Sequence, residues 1–248
     1  MLAEGNVGLL TILQYALLGF APGLLWMWFI HAKDDLEPEP RARVLWVFVL
    51  GCLAAFLILQ LRPHIEDLLP RREGVAREFA DAYVVTALPE ELAKWAAFAF
   101  GALISRELNE PLDGIVYGAA AGLGFASVEN VLYILHTGSP SIVVLRAFTA
   151  TLGHVAFSGF LGWTCARAKL GTRPRRFLYP LMGLGIAVGL HGTYNVFLSF
   201  GGTSKVLSLL VVLPFGLVLL ALKLRWSRIR SGDYHPHLTT RGERKARS

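Results

Sequence analysis

Seven stretches of this chain run for about 18 to 25 residues with scarcely a charge, long enough for each to cross a bilayer as a helix. They extend from Val7 to Ile30, Val44 to Leu61, Ala82 to Ser105, Leu112 to His136, Ile142 to Ala166, Phe177 to Phe200 and Val206 to Leu224. A helix satisfies its own backbone hydrogen bonds where there is no water, so this pattern predicts an all-α, polytopic transmembrane helical bundle of about seven spans. Seven spans of roughly 20 residues use most of the 248 residues and leave no room for a separate soluble domain. Residues 1–226 are expected to form one integral membrane domain, and 227–248 a basic cytoplasmic tail without fixed structure. Only 17% of residues are charged, against about one quarter in soluble domains, which excludes an ordinary cytoplasmic enzyme.

The net charge of +6 does not imply a nucleic-acid partner, because the basic residues fall in short loops and the tail rather than on one folded face. Their distribution reads as topology instead. With the N-terminus outside, the inner regions hold about 17 Lys and Arg and the outer loops about five, so the positive-inside rule predicts an N-out, C-in protein. Trp26, Trp28, Trp46 and Trp226 then fall at the predicted inner boundary. No Lys or Arg precedes the first apolar run and no small-residue cleavage site follows Ile30, so it is expected to be a retained span. The charged segment from Arg62 to Glu78 has room for a short interfacial helix. Cys52 and Cys165 both lie in apolar runs, where a disulfide framework is not expected. No long-period repeat is present, which disfavours a transporter built from inverted halves.

Among the ionisable acids and histidines, Glu90, Glu91, Glu129, His154 and His191 lie well inside predicted spans. Such groups cost several kcal/mol in lipid unless paired or hydrated and are functional candidates by default. In the predicted topology Glu90, Glu129, His154 and His191 all sit roughly 10 to 20 Å below the outer boundary, so they are expected to converge in one cavity. Lys94 follows Glu90 by four residues and Glu91 by three, within reach of either carboxylate on a helix. Two adjacent carboxylates do not both ionise cheaply there, which makes one a candidate proton acceptor. Phe125 and Glu129 share a helix face, and Gly118 and Gly122 on the same stripe permit a neighbouring helix to approach closely. His154 has Ser158 one turn on; His191 has Asn195, a pair suited to stabilising an oxyanion. Taken singly, each constellation also has a structural reading: an ion-pair cluster for Glu90, Glu91 and Lys94, an interhelical hydrogen bond for Glu129, and satisfied packing residues for the histidines.

In order, Glu90-Glu91-x-x-Lys94, Phe125-x-x-x-Glu129-Asn130, the intramembrane His154 and His191-x-x-x-Asn195 resemble the PrsW family of intramembrane proteases, distantly related to CAAX prenyl endopeptidases. The resemblance spans about residues 86 to 197 and is strengthened by the run from Tyr117 to Phe125. CAAX-type relatives usually carry Phe-x-x-x-His where this chain has Glu129. The resemblance implies a glutamic-type peptidase of a bacterial-type cytoplasmic membrane, cleaving a membrane-anchored regulator such as an anti-sigma factor near the outer face.

The chemistry fits that reading. One carboxylate of Glu90 and Glu91, with Glu129, would bind and deprotonate water. Lys94 would hold their charge, His154 would orient water or protonate the leaving amine, and His191 and Asn195 would stabilise the oxyanion. Phe125 and Asn130 are read as supporting residues. No nucleophilic triad or His-Glu-x-x-His helix is present in the sequence. No cofactor is expected, although zinc held by Glu129, His154 and His191 is possible. A proton- or cation-coupled transporter using the same Glu/His cluster is the alternative, followed by a sensor or scaffold whose polar cluster only locks packing.

The topology is directly testable. A cysteine introduced between residues 235 and 248 should resist an impermeant thiol reagent in intact cells and react once the membrane is permeabilised; labelling of intact cells overturns the N-out, C-in arrangement.

Overall fold

The computed structural model describes residues 8–32, 37–70 and 73–234, which are helical throughout except for short connections and contain no strand. The helices are α1 (Leu9–His31), α2 (Arg41–Leu68), α3 (Gly74–Ala80), α4 (Leu88–Phe98), α5 (Pro111–Thr137), α6 (Ile142–Phe148), α7 (Ala150–Lys169), α8 (Arg173–Ser199), α9 (Gly202–Leu207) and α10 (Leu213–Tyr234). Wider π-helical segments, Asp81–Ala87, Ala99–Leu103 and Ser208–Val212, join α3 to α4, extend α4, and join α9 to α10.

Six helical stretches of the described residues are long and apolar enough to cross a membrane, with α6 and α7 forming one of them and α9 to α10 another. The remaining predicted span, Ala82 to Ser105, is helical too, but its regularity is broken by the two π segments around α4. Pro89 explains the first: its ring lacks an N–H and clashes with the carbonyl four residues back, and a wider preceding turn accommodates it. The segment expected to hold an interfacial helix does something else. Residues 62–68 continue α2 through Pro63, supported by an Arg62–Glu66 ion pair at 3.0 Å, and 74–78 belong to α3. Residues 227–234, assigned above to the tail, extend α10; residues 235–248 lie outside the described set, as do Val7 and Lys33.

Helix α5 is the axis of the bundle. Every residue from Pro111 through Val128 is buried, which a helix achieves only when neighbours cover it on all sides. Its small residues make that possible. A Cβ on Gly114, Gly118 or Gly122 would meet the backbone of α7 at Gly162, Ser158 or His154, and one on Gly124 would collide with the Phe48 carbonyl of α2. On the third side, Gly19 and Gly23 of α1 approach Val131 and Ser127. With lipid tails as apolar as leucine, close van der Waals packing of this kind is what holds transmembrane helices together. Outward-facing Leu9, Leu17, Leu25, Leu53, Phe100 and Leu210 remain exposed, as lipid-facing side chains are.

The start of α5 is fixed by Pro111 and by a reciprocal cap in which Asp113 accepts the backbone N–H groups of Asn109 (2.7 Å) and Glu110 (2.8 Å). One turn on, the buried Tyr117 hydroxyl donates to the Glu39 carboxylate. The tryptophans divide: Trp28 and Trp46 are exposed, whereas the Trp26 indole N–H donates to the Ala147 carbonyl at 3.0 Å and ties α1 to α6.

Gly162→Val should therefore push α7 off the Gly114 carbonyl and cost about 1–3 kcal/mol. Thermal unfolding in detergent should show a clearly lowered midpoint; a wild-type midpoint refutes the close-packed α5–α7 contact.

Candidate active site

The close approach of α7 to α5 brings His154 against Glu129, and α4 supplies the opposing wall. Lys94 is the hub. Its ammonium, fully buried, donates to Glu91 Oε1 at 2.7 Å and to His154 Nδ1 at 2.8 Å, and lies 3.7 Å from Glu90 Oε2. It also sits 4.6 Å from the Phe125 ring centroid, so the aromatic at the head of the Phe-x-x-x-Glu spacing faces the cation. His154 Nε2 and Glu129 Oε2 are 2.7 Å apart, and His191 Nδ1 and Glu91 Oε1 2.9 Å apart. The two imidazoles meet edge to face at 5.5 Å, with His191 stacked on Phe157.

These contacts fix which ring nitrogen carries which proton. Lys94 is a donor only, so it holds a lone pair at His154 Nδ1 and leaves the proton on Nε2, directed at Glu129. Carboxylate Glu91 is an acceptor only, so His191 carries its proton on Nδ1, and Nε2, 3.9 Å from Glu90 Oε2, presents a lone pair in the neutral ring. The two adjacent glutamates thereby become inequivalent. Glu91 is fully buried and engaged by Lys94 and His191, whereas the buried Glu90 Oε2 has no hydrogen-bond partner.

A cavity of about 540 Å³ opens onto this cluster. Glu90, Glu129, His154, His191 and Asn195 line it; Glu91 and Lys94 stand behind them. The predicted residues therefore come together, with one difference in rank: Asn195 borders the cavity but is outside the set of hydrogen bonds and ion pairs that links the other five to Lys94. Asn130 is turned away from the cavity as a strut. Its amide lies 3.3 Å from both the Gly19 carbonyl of α1 and Thr151 Oγ1, and its oxygen accepts from Arg146 Nε at 2.8 Å.

Arg146 is the residue that the sequence reading lacks. It is buried, lines the cavity, and donates from Nη2 to Glu129 Oε2 at 3.2 Å. A basic residue inside the run from Ile142 to Ala166 is itself a signal, and screening the spans for acids and histidines alone passes over it.

Glu90, Glu129 and His154 also offer three ligand atoms within 4.8 Å of one another, two carboxylates and an imidazole, the number and kinds of ligand that a catalytic zinc uses. The bare Glu90 oxygen suits such a role. Glu90 takes the place that the sequence reading gave to His191, which is not among these three. Ligation through His154 Nε2 requires that nitrogen to shed its proton while Lys94 holds Nδ1, so metal entry and the Lys94–His154 bond compete.

Removing the hub isolates Glu91. Lys94→Met should cost about 3–5 kcal/mol, the penalty of leaving a buried charge without its partner, read as a lowered unfolding midpoint in detergent; unchanged stability contradicts the ion-pair network.

The family profile described as PrsW family intramembrane metalloprotease matches residues 39–222. Protease PrsW of Geobacillus kaustophilus is 36% identical over 177 residues, which cover 71% of this chain and 76% of the relative. Protease PrsW of Oceanobacillus iheyensis is 31% identical over 212 residues, 83% of this chain and 93% of the relative. The Bacillus subtilis protein of the same name is 29% identical over 181 residues, 73% and 81% of the two chains. No solved structure matches this fold. A profile match across most of the chain, together with relatives above 30% identity that it covers extensively, shows that this multi-pass helical protein belongs to the PrsW family of intramembrane proteases and is a peptide hydrolase.

Proposed function

We propose that the chain is an endopeptidase of the bacterial cytoplasmic membrane that hydrolyses a membrane-anchored regulatory protein, of the anti-sigma-factor type, near the outer face. The observation that carries this reading is the junction of two cavity-facing carboxylates, Glu90 and Glu129, with two imidazoles of defined protonation in a buried chamber. Family membership favours hydrolysis over a transporter relay.

Water in the cavity is held between Glu90 and Glu129, whose carboxylate the His154 N–H and Arg146 keep in place. Glu90, with its unbonded oxygen, accepts a proton as the water oxygen attacks the scissile carbonyl, and the carbonyl π bond becomes an oxyanion. The Asn195 amide donates to that oxyanion, and His191, whose Nδ1 proton faces Glu91, joins it as a donor when its Nε2 carries a proton. On collapse the C–N bond breaks, and the proton returns from Glu90 through His191 Nε2 to the leaving amine. Glu91 serves by fixing the His191 ring, and Lys94 by balancing Glu91 and fixing His154. A divalent metal, held by Glu90, Glu129 and His154, would supply a Lewis acid that acidifies bound water.

Two measurements test the reading. In membranes expressing the protein, Glu90→Gln and Glu129→Gln should each lower fragment release by at least roughly 10²-fold with normal folding. Equal release by either variant removes that carboxylate from the mechanism. Because Lys94 and Arg146 already supply cationic balance beside the carboxylates, activity should survive exhaustive chelation. Activity that vanishes and returns only with stoichiometric zinc assigns Glu90, Glu129 and His154 as ligands instead.

A further inference from the structure

We infer that Arg146 is a positioning residue of the hydrolytic centre: its guanidinium clamps the Glu129 carboxylate in the orientation that meets His154. This rests on the hydrolytic reading above and adds to it a residue outside the four matched motifs.

The geometry is that of a clamp rather than of a stray surface charge. One guanidinium edge donates to two successive residues of α5, from Nε to Asn130 Oδ1 at 2.8 Å and from Nη2 to Glu129 Oε2 at 3.2 Å. Its face lies 3.8 Å from the centroid of Tyr133, one turn further along the same helix. Hydrogen bonds along an edge and a ring against a face leave a planar cation little freedom, and lysine cannot reproduce both. Glu129 needs such a partner. Its side chain is 23% exposed to the cavity, and without Arg146 only the His154 N–H would hold it. Glu129 Oε2 thus receives Arg146 from one side and His154 from the other, which leaves Oε1 as the oxygen without an assigned partner and turned to the task of holding water.

The clamp is also anchored from behind. Asn130 accepts from Arg146 while its amide reaches α1 at Gly19 and α7 at Thr151. Arg146 belongs to α6, which ends where the backbone leaves helical geometry at Thr149 (φ −123°, ψ −92°), and His154 follows on α7. That break lets one span present Arg146 and His154, eight residues apart, to the same carboxylate oxygen, whereas an unbroken helix would hold their backbones about 12 Å apart along its axis.

The test uses the full-length protein in detergent micelles and, as probe, a single-pass membrane protein whose fragment appears in membranes that contain the wild-type protein and not in membranes that lack it. Arg146→Gln should lower kcat by about 10- to 100-fold with KM within about twofold, since a misplaced reacting group costs on that order. Added guanidinium ion should restore several-fold of the lost rate in Arg146→Gln and none in Glu129→Gln. The double variant should be no slower than Glu129→Gln alone, because both changes remove one unit. A structural role alone would not give rescue or this non-additivity. If Arg146→Gln does not fold, Asn130→Ala keeps the charge and removes its anchor, and the same fall in kcat at constant KM is expected. Unchanged kcat in a folded Arg146→Gln or Asn130→Ala protein, or an effect confined to KM, overturns the assignment. Undiminished cleavage by Glu129→Gln would instead overturn the hydrolytic reading itself, so the two failures are distinct.

Discussion

A single buried ammonium organises this protein's centre. Lys94 is enclosed by Glu91, Glu90, His154 and the face of Phe125, which come from three helices, and the two carboxylates would be costly in the bundle without it. Burying charge is tolerated only when geometry and hydrogen bonding replace the lost water, and a donor-only cation among acceptors satisfies that condition. The consequence extends past stability. By choosing the protonated nitrogen of His154 directly, and by sharing Glu91 with His191, Lys94 determines what the cavity-facing atoms can do.

The scaffold exists to deliver that arrangement. Helix α5 is glycine- and alanine-rich where α7 and α2 cross it, so backbones come close enough for a short carboxylate to touch an imidazole on the next helix. Two stretches of irregular backbone serve the site: the π segment ahead of Pro89 leads into the glutamate pair, and the break at Thr149 separates Arg146 from His154. Both contribute to the cavity wall, through Thr86 and Thr149, and a membrane permits irregular backbone where it lines a cavity.

Two charged layers now stand at different depths along α5. Near its start, Asp113, Tyr117 and Glu39 are occupied with capping and closing the bundle. Near its end, Glu129 and Asn130 are engaged by His154 and Arg146 beside a cavity. The difference between structure and chemistry is access: the first set is sealed in, and the second borders open space.

Much of this was legible in the chain. Apolar length dictates a helical membrane bundle because the backbone has no other way to satisfy itself in lipid, and the cost of an ionisable group there singles out Glu90, Glu91, Glu129, His154 and His191 before any fold is known. Helical spacing joins Lys94 to both carboxylates, and the small residues of α5 announce a close neighbour. What periodicity cannot supply is partnership between helices. Only tertiary packing set Glu91 behind His191 while leaving Glu90 bare, bonded Lys94 to a histidine 60 residues away, and folded Arg146 back onto Glu129 through a backbone break that no local propensity specifies. The protonation pattern of the site follows from those cross-helix contacts, since a side chain's hydrogen-bond role is set by the atom facing it and not by its neighbours in sequence.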